Sequence, residues 1–144
     1  MAWNGLRTIE VLRLTVADLK ISQGKISVWG KGKSEKSKDT IKLATVTKRE
    51  VQHYLSKSKI KRGQLFDLTR PELDLLVNSY FKKLRVKGKF SPHSLRHTAG
   101  QLMYEKNIPL ELIQKTLRHA DMRTTMVYAQ KAIDKNYFKK LRRF

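Results

Sequence analysis

Apolar residues recur at helical spacing over several stretches of this chain and alternate with polar ones over one. Leu6, Ile9 and Leu12 fall three residues apart, which predicts a short helix with Arg7 at its start and Glu10 one turn on. Residues 25–29 and 40–43 alternate instead, Ile26 with Val28 and Ile41 with Leu43, and predict a β-hairpin. Its loop carries Gly30, Lys31, Gly32, Lys33, Lys36 and Lys38, which makes the tip basic. Thr47 with Glu50 has the pattern of a capping box ahead of a helix burying Val51, Tyr54 and Leu55. Thr69 with Glu72 repeats that pattern ahead of a helix burying Leu73, Leu76, Val77 and Tyr80.

Beyond Gly88, Ser91 can cap and Pro92 can open a helix on which His93 and Arg96, three apart, share one face toward a cleft. Leu95, Leu102 and Met103 supply its apolar contacts. Pro109 opens another helix with Leu110, Ile113 and Leu117 at core spacing, ending near Arg118 and His119. Asp121 with Thr124 then starts a turn or short helix bearing Tyr128. A tail through Tyr137, Phe138 and Leu141 repeats the apolar stripe weakly, with Lys139, Lys140, Arg142 and Arg143 opposite. The expected fold is mainly α with a small antiparallel β-sheet at one edge, an α+β domain whose cleft is lined by residues remote in sequence.

Composition narrows the partner. A chain of 144 residues with 40% hydrophobic content can bury one core, so a single domain is expected. Thirty-two Lys and Arg stand against 12 Asp and Glu, for a net charge of +20, which suits a polyanion whose counterions are released on binding. Nucleic acid is the first candidate. No segment approaches eighteen consecutive apolar residues, and no stretch divides cleanly into basic and apolar faces, which argues against a membrane. The absence of Cys excludes disulfides and thiolate metal sites, and the start Met1-Ala2-Trp3-Asn4 has no apolar run of the signal-peptide kind. An intracellular, DNA-associated protein is expected.

Five short runs then line up. Gly5-Leu6-Arg7-Thr8-Ile9-Glu10, Gly30-Lys31-Gly32-Lys33, His93-Ser94-Leu95-Arg96-His97, Leu117-Arg118-His119 and Thr124-Thr125-Met126-Val127-Tyr128 resemble, in order and spacing, the successive catalytic boxes of the tyrosine recombinases, the phage integrase family. The resemblance covers nearly the whole chain. It implies Arg7 and Arg96 as phosphate-binding arginines, Lys31 as the hairpin lysine, His93 and His119 as the catalytic histidines and Tyr128 as nucleophile. Lys33, Lys36 and Lys38 would contact DNA phosphates as flexible point charges. It also implies site-specific recombination or integration on double-stranded DNA, by a homo-tetramer on synapsed sites that can be a monomer in isolation. The family's amino-terminal clamp, its core-binding domain, does not precede Arg7 here, so residues 1–144 are read as the catalytic domain alone, with weak and strongly salt-dependent DNA binding expected.

The chemistry needs such residues together. Attack on a phosphodiester builds negative charge on its nonbridging oxygens, and two planar guanidinium forks can hold those oxygens bidentately. A tyrosine phenol has an unperturbed pKa of about 10, so it needs neighbours that accept its proton or stabilise its oxyanion. In the family's scheme His93 helps with the first need, Lys31 protonates the leaving 5′ oxygen, and His119 hydrogen-bonds the scissile phosphate. The 3′-phosphotyrosyl link keeps the energy of the broken bond, so the reaction reverses without ATP. The scheme requires no metal and no cofactor.

His53 and His97 are read as capping or core imidazoles, and Tyr54, Tyr80 and Tyr104 as core aromatics. One position departs from the family pattern: Arg118 stands where a Gly usually precedes the second histidine, which implies a different backbone or an added phosphate contact. Two other functions fit the same boxes. One is a noncatalytic DNA-binding module that keeps the fold, and the other is a type IB topoisomerase-like strand relaxation.

Overall fold

The fold is taken from a computed structural model that describes residues 4–29, 38–86, 88 and 90–130. Helix α1 (Thr8–Leu12) leads through a 3-10 turn (Val16–Asp18) into a three-stranded antiparallel sheet of β1 (Leu19–Lys20), β2 (Lys25–Trp29) and β3 (Lys38–Lys42), in the order β1-β2-β3. Helices α2 (Thr45–Ser58), α3 (Arg70–Lys83), α4 (Pro92–Glu105) and α5 (Leu110–Leu117) follow. A sixth helix, α6, runs over 123–130. This is the mostly helical α+β architecture expected from the apolar pattern.

The β2–β3 pairing sets Ile26 opposite Ile41 and Val28 opposite Asp39. Strand side chains alternate between faces, so Ile26 and Val28 go inward together while Lys25 stays in solvent. They meet Leu6, Leu14, Leu43 and Leu65 in one buried cluster, and Val11, Leu55 and Phe66 pack against its margin. A second cluster joins Ile113 and Leu117 of α5 to Tyr128 of α6, with Met103, Tyr104 and Ile108 beside them. The first cluster seats the sheet, and the second seats the end of α4, α5 and Tyr128.

Local signals set two helix starts. The Thr69 hydroxyl accepts from the Glu72 amide at 3.5 Å, and the Glu72 carboxylate accepts from the Thr69 amide at 2.7 Å. Ser91 caps α4 by accepting from the Ser94 amide at 3.2 Å, with Pro92 in the first turn. The predicted box of Thr47 and Glu50 does not form, because α2 begins two residues earlier at Thr45, behind Ala44, with no side-chain cap. A tertiary contact sets that start: Asn4 Nδ2 donates to the Lys42 carbonyl at 2.8 Å, and its Oδ1 accepts from the Ala44 amide at 3.4 Å. The chain therefore leaves β3 already aimed into the helix.

Some stripes are less buried than predicted. No residue of α2 is fully buried, and Tyr54 lies largely at the surface, where its hydroxyl donates to the Leu65 carbonyl. Ile9, Leu76 and Tyr80 are exposed as well, while Leu73 and Val77 carry the buried face of α3. Periodicity reports that a helix has an apolar face without saying what covers it. The hairpin tip with Lys31, Lys33 and Lys36, and the tail with Tyr137, Phe138 and Leu141, lie outside the described residues.

Gly5 shows how tightly the site's backbone is built. Its φ of +58° is left-handed, and a Cβ there would stand 2.2 Å from Leu117 Cδ2. Gly5→Ala is expected to lose about 2–4 kcal/mol of stability from backbone strain plus overpacking, read by urea denaturation.

Candidate active site

Arg96 is the most deeply placed cation, only 4% exposed on the inner face of α4. Its Nη1 donates to the Gly5 carbonyl and its Nη2 to the Leu117 carbonyl, so one guanidinium ties together the segment before α1, helix α4 and the end of α5. Arg7, at the amino end of α1, donates from Nη1 to Glu10 Oε1 at 2.7 Å and from Nη2 to the Arg118 carbonyl at 2.6 Å. Each fork spends two of its five N–H groups on these anchors, which leaves the rest for an anion. Anchoring of this kind fixes where the remaining donors stand before any ligand arrives.

Glu10 makes this crowding of cations tolerable. Its carboxylate is 2% exposed and accepts from the Arg7 amide and guanidinium and from Arg118 Nη2. Arg118 is the α5 cap, at φ 54° and ψ 45°, so the left-handed turn natural to glycine is here made by an arginine. Its Nη1 donates to the Thr116 carbonyl, and its buried Nε–H has no hydrogen-bond partner among the described residues. Burial first, then repulsion from Arg7 and Arg118 against the pull of Glu10, brings the Arg96 pKa down to about 10. It remains cationic at neutral pH.

His119 follows Arg118 into the same cluster. Its Nδ1 lies 2.9 Å from the hydroxyl of the fully buried Thr125 on α6, and Gln114 Nε2 donates to its carbonyl at 3.2 Å. These contacts set the ring nearly parallel to that of Tyr128, with centroids 6.5 Å apart. Burial, together with the charges of Arg96, Arg7, His97 and Arg118, lowers its pKa to about 4, so the imidazole is neutral at pH 7.

Tyr128 is 1% exposed and packs over a glycine. A Cβ at Gly100 would stand 2.2 Å from Tyr128 Cζ and 2.6 Å from its hydroxyl oxygen, so α4 must lack a side chain there. Burial raises the phenol's pKa, partly offset by Arg96. The hydroxyl lies 3.3 Å from His97 Nδ1, and His97 Nε2 lies 2.7 Å from His93 Nε2. His97 thus belongs to the site, which corrects its reading as a capping or core imidazole. Its partner comes from 31 residues away, beyond the reach of any local pattern.

The structure thus gathers Arg7, Arg96, His119 and Tyr128 around one buried centre and sets exposed His93 at its rim through His97. Glu10, Gly100 and Arg118 complete it. Only Arg118 had signalled itself in sequence, by replacing the usual glycine. Lys38 stands apart, its ammonium on the Asp18 carboxylate and 4.4 Å over the Trp29 ring, so its charge already has an anion. Lys31, Lys33 and Lys36 are outside the described residues. Among the described residues no group of three or more His or acidic side chains could hold a metal ion, and no helix is long and apolar enough to cross a membrane.

The sequence profile of the Phage integrase family matches residues 1–135. The chain belongs to that family. Among its relatives, tyrosine recombinase XerD of Oceanobacillus iheyensis is 30% identical over 140 residues, which cover 86% of this chain and 45% of the relative. The crystal structure of XerA recombinase superposes with a TM-score of 0.79 at 22% identity, covering 96% of this chain and 53% of XerA. A structure of XerH site-specific recombinase bound to difH substrate, in a pre-cleavage complex, gives 0.75 at 25% identity, covering 89% and 40%. This phage integrase family chain spans about half the length of the relatives it matches.

The burial of His119 among these cations has a measurable consequence for stability. An unfolded histidine titrates near 6.5 and His119 in the fold at about 4. Between those values the unfolded chain binds more protons, so the contribution of neutral His119 is complete above about pH 6.5 and lost as pH falls toward 4. His119→Asn is expected to flatten the pH dependence of the denaturation midpoint across that window, and NMR titration of the wild-type imidazole should find it still neutral at pH 5.5. A His119 resonance titrating above pH 6 would contradict this.

Proposed function

We propose that residues 1–144 form the catalytic domain of a DNA strand-transfer enzyme that cuts and rejoins duplex DNA through a 3′-phosphotyrosyl intermediate. The observation that carries the reading is the convergence of Arg7, Arg96, His119 and Tyr128 on one buried centre, in a chain of net charge +20 belonging to a family of recombinases. Resemblance of the fold to XerH, a recombinase bound to its difH substrate, supports DNA as the partner.

In this mechanism the outer edges of the Arg7 and Arg96 forks take the nonbridging oxygens of the scissile phosphate. Their inner edges are already held by the Gly5, Leu117 and Arg118 carbonyls and by Glu10, so little reorganisation is needed as charge builds. Arg118 supplies a third cation, its Nε–H having no partner among the described residues. His119 donates to the phosphate once that anion offsets the surrounding positive charge and restores its basicity. The Tyr128 oxygen bonds to phosphorus as the bond to the 5′ oxygen breaks, and Lys31 protonates that oxygen. Mutually dependent cuts on paired sites call for a homo-tetramer on DNA.

Covalent capture tests the reading. The chain is incubated with a pool of nicked duplexes of random sequence, and protein-linked DNA is recovered from a denaturing gel. Adducts are expected with the wild type and none with Tyr128→Phe, while Arg96→Ala should lower their rate about 100-fold or more. DNA binding with no adduct under any condition would leave a binding module. Adducts at unrelated sequences, with plasmid relaxation, would favour a topoisomerase.

The cap residue gives a second expectation. Arg118→Gly restores glycine to a left-handed position and removes the strain of about 1 kcal/mol that a side chain carries there. It also leaves Glu10 with one guanidinium fewer and the phosphate with one donor fewer. Adduct formation is expected to slow by about 10-fold without loss of folding, read in the same assay beside a thermal melt.

A further inference from the structure

Among the described residues, the side chain hydrogen-bonded to the Tyr128 hydroxyl is His97, and His93 is linked to that hydroxyl through it. We propose that His97 is the catalytic base that takes the phenolic proton and that His93 passes it to solvent, a two-imidazole relay running along one face of α4. The proposal rests on the phosphotyrosine reading above and assigns a step within it.

Helix geometry builds the relay. Positions 93 and 97 are one turn apart on α4, so their rings meet edge to face, with centroids 4.3 Å apart and an interplanar angle of 88°. The His97 ring also meets that of Tyr128, at 6.0 Å and 66°. A contact of 2.7 Å between two Nε2 atoms needs one donor and one acceptor. If His97 carries its hydrogen on Nε2, its Nδ1 is bare and accepts from the phenol, and His93 accepts at Nε2 while holding its own hydrogen on Nδ1. In the reverse arrangement His97 Nδ1–H points at the phenol oxygen, and the hydroxyl hydrogen of a tyrosine 1% exposed has no acceptor among the described residues. A buried donor without a partner costs about 1–3 kcal/mol, which selects the first arrangement.

That arrangement is the one that exports a proton. As the Tyr128 oxygen bonds to phosphorus and the 5′ oxygen departs, the phenolic proton moves to His97 Nδ1. The Nε2 proton of His97 moves to His93 Nε2, and the Nδ1 proton of His93 leaves to water. The 5′ oxygen takes its proton from a separate donor, so no proton is counted twice. Tyr128 of α6 touches His97 directly, and His119, from the turn after α5, feels the charges of Arg96, Arg7 and Arg118 together with that of His97. In so cationic a cluster a positive charge on His97 is short-lived, and the proton is driven toward exposed His93.

The test uses the recovered DNA sequence with a sulfur bridging phosphorus and the 5′ carbon. A thiolate leaves without a proton, so the adduct rate then reports attack alone. His97→Asn keeps a polar atom beside the phenol but cannot take its proton, and it is expected to be about 100-fold slower than wild type on this substrate. His97→Ala should be as slow and recover in part with added imidazole. A rate for His97→Asn within threefold of wild type, with an unchanged thermal melt, would overturn the proposal. A second measurement needs no DNA: 15N NMR of histidine-labelled protein should find His97 protonated at Nε2 and bare at Nδ1 at neutral pH, and an Nδ1–H form would overturn it equally. If wild type forms no adduct, the phosphotyrosyl reading fails and the NMR result still decides whether His97 can accept the proton.

Discussion

Everything in this site depends on how one buried guanidinium is held. Arg96 reaches two backbone carbonyls, those of Gly5 and Leu117, which belong to distant parts of the chain. A charge taken out of water at that depth is costly unless its donors are matched. Here carbonyl dipoles do the matching and leave the charge uncancelled. The result is a cation with fixed direction and little solvent, which is what an anion with developing charge requires.

Three arginines around such a centre repel one another, and Glu10 is the counterweight. One buried carboxylate spans Arg7 and Arg118, so the cluster stays net positive yet folded. The remaining field acts on the titratable neighbours. Burial first, and this field second, hold His119 neutral, while burial holds Tyr128 protonated. An anion beside His119 would oppose the cationic part of its shift and leave the part due to burial, so proton position there is coupled in part to site occupancy.

The legible part of this architecture was local. Thr69 with Glu72 and Ser91 with Pro92 announce helix starts because the capping atoms lie within one turn of the amides they satisfy. The alternation of Ile26 and Val28 gave the sheet, because successive strand residues take opposite faces. Thr47 with Glu50 misled because Asn4, some forty residues earlier, sets the start of α2. Exposure of Ile9, Leu76 and Tyr80 was illegible for a related reason: an apolar stripe does not name its cover. His97 sits beside Arg96 in sequence with nothing to distinguish it from a helix-surface imidazole.

By itself the sequence determined the helices, the sheet, the charge and the order of the five boxes that mark the family, since each is written in residues a few positions apart. Tertiary structure alone decided that Glu10 is the shared counterion, that Gly100 clears room for Tyr128 and that His97 stands at its hydroxyl. Those facts are distances between atoms separated by tens of residues. Such distances exist only once burial of two apolar clusters has brought α1, α4, α5 and α6 around one point.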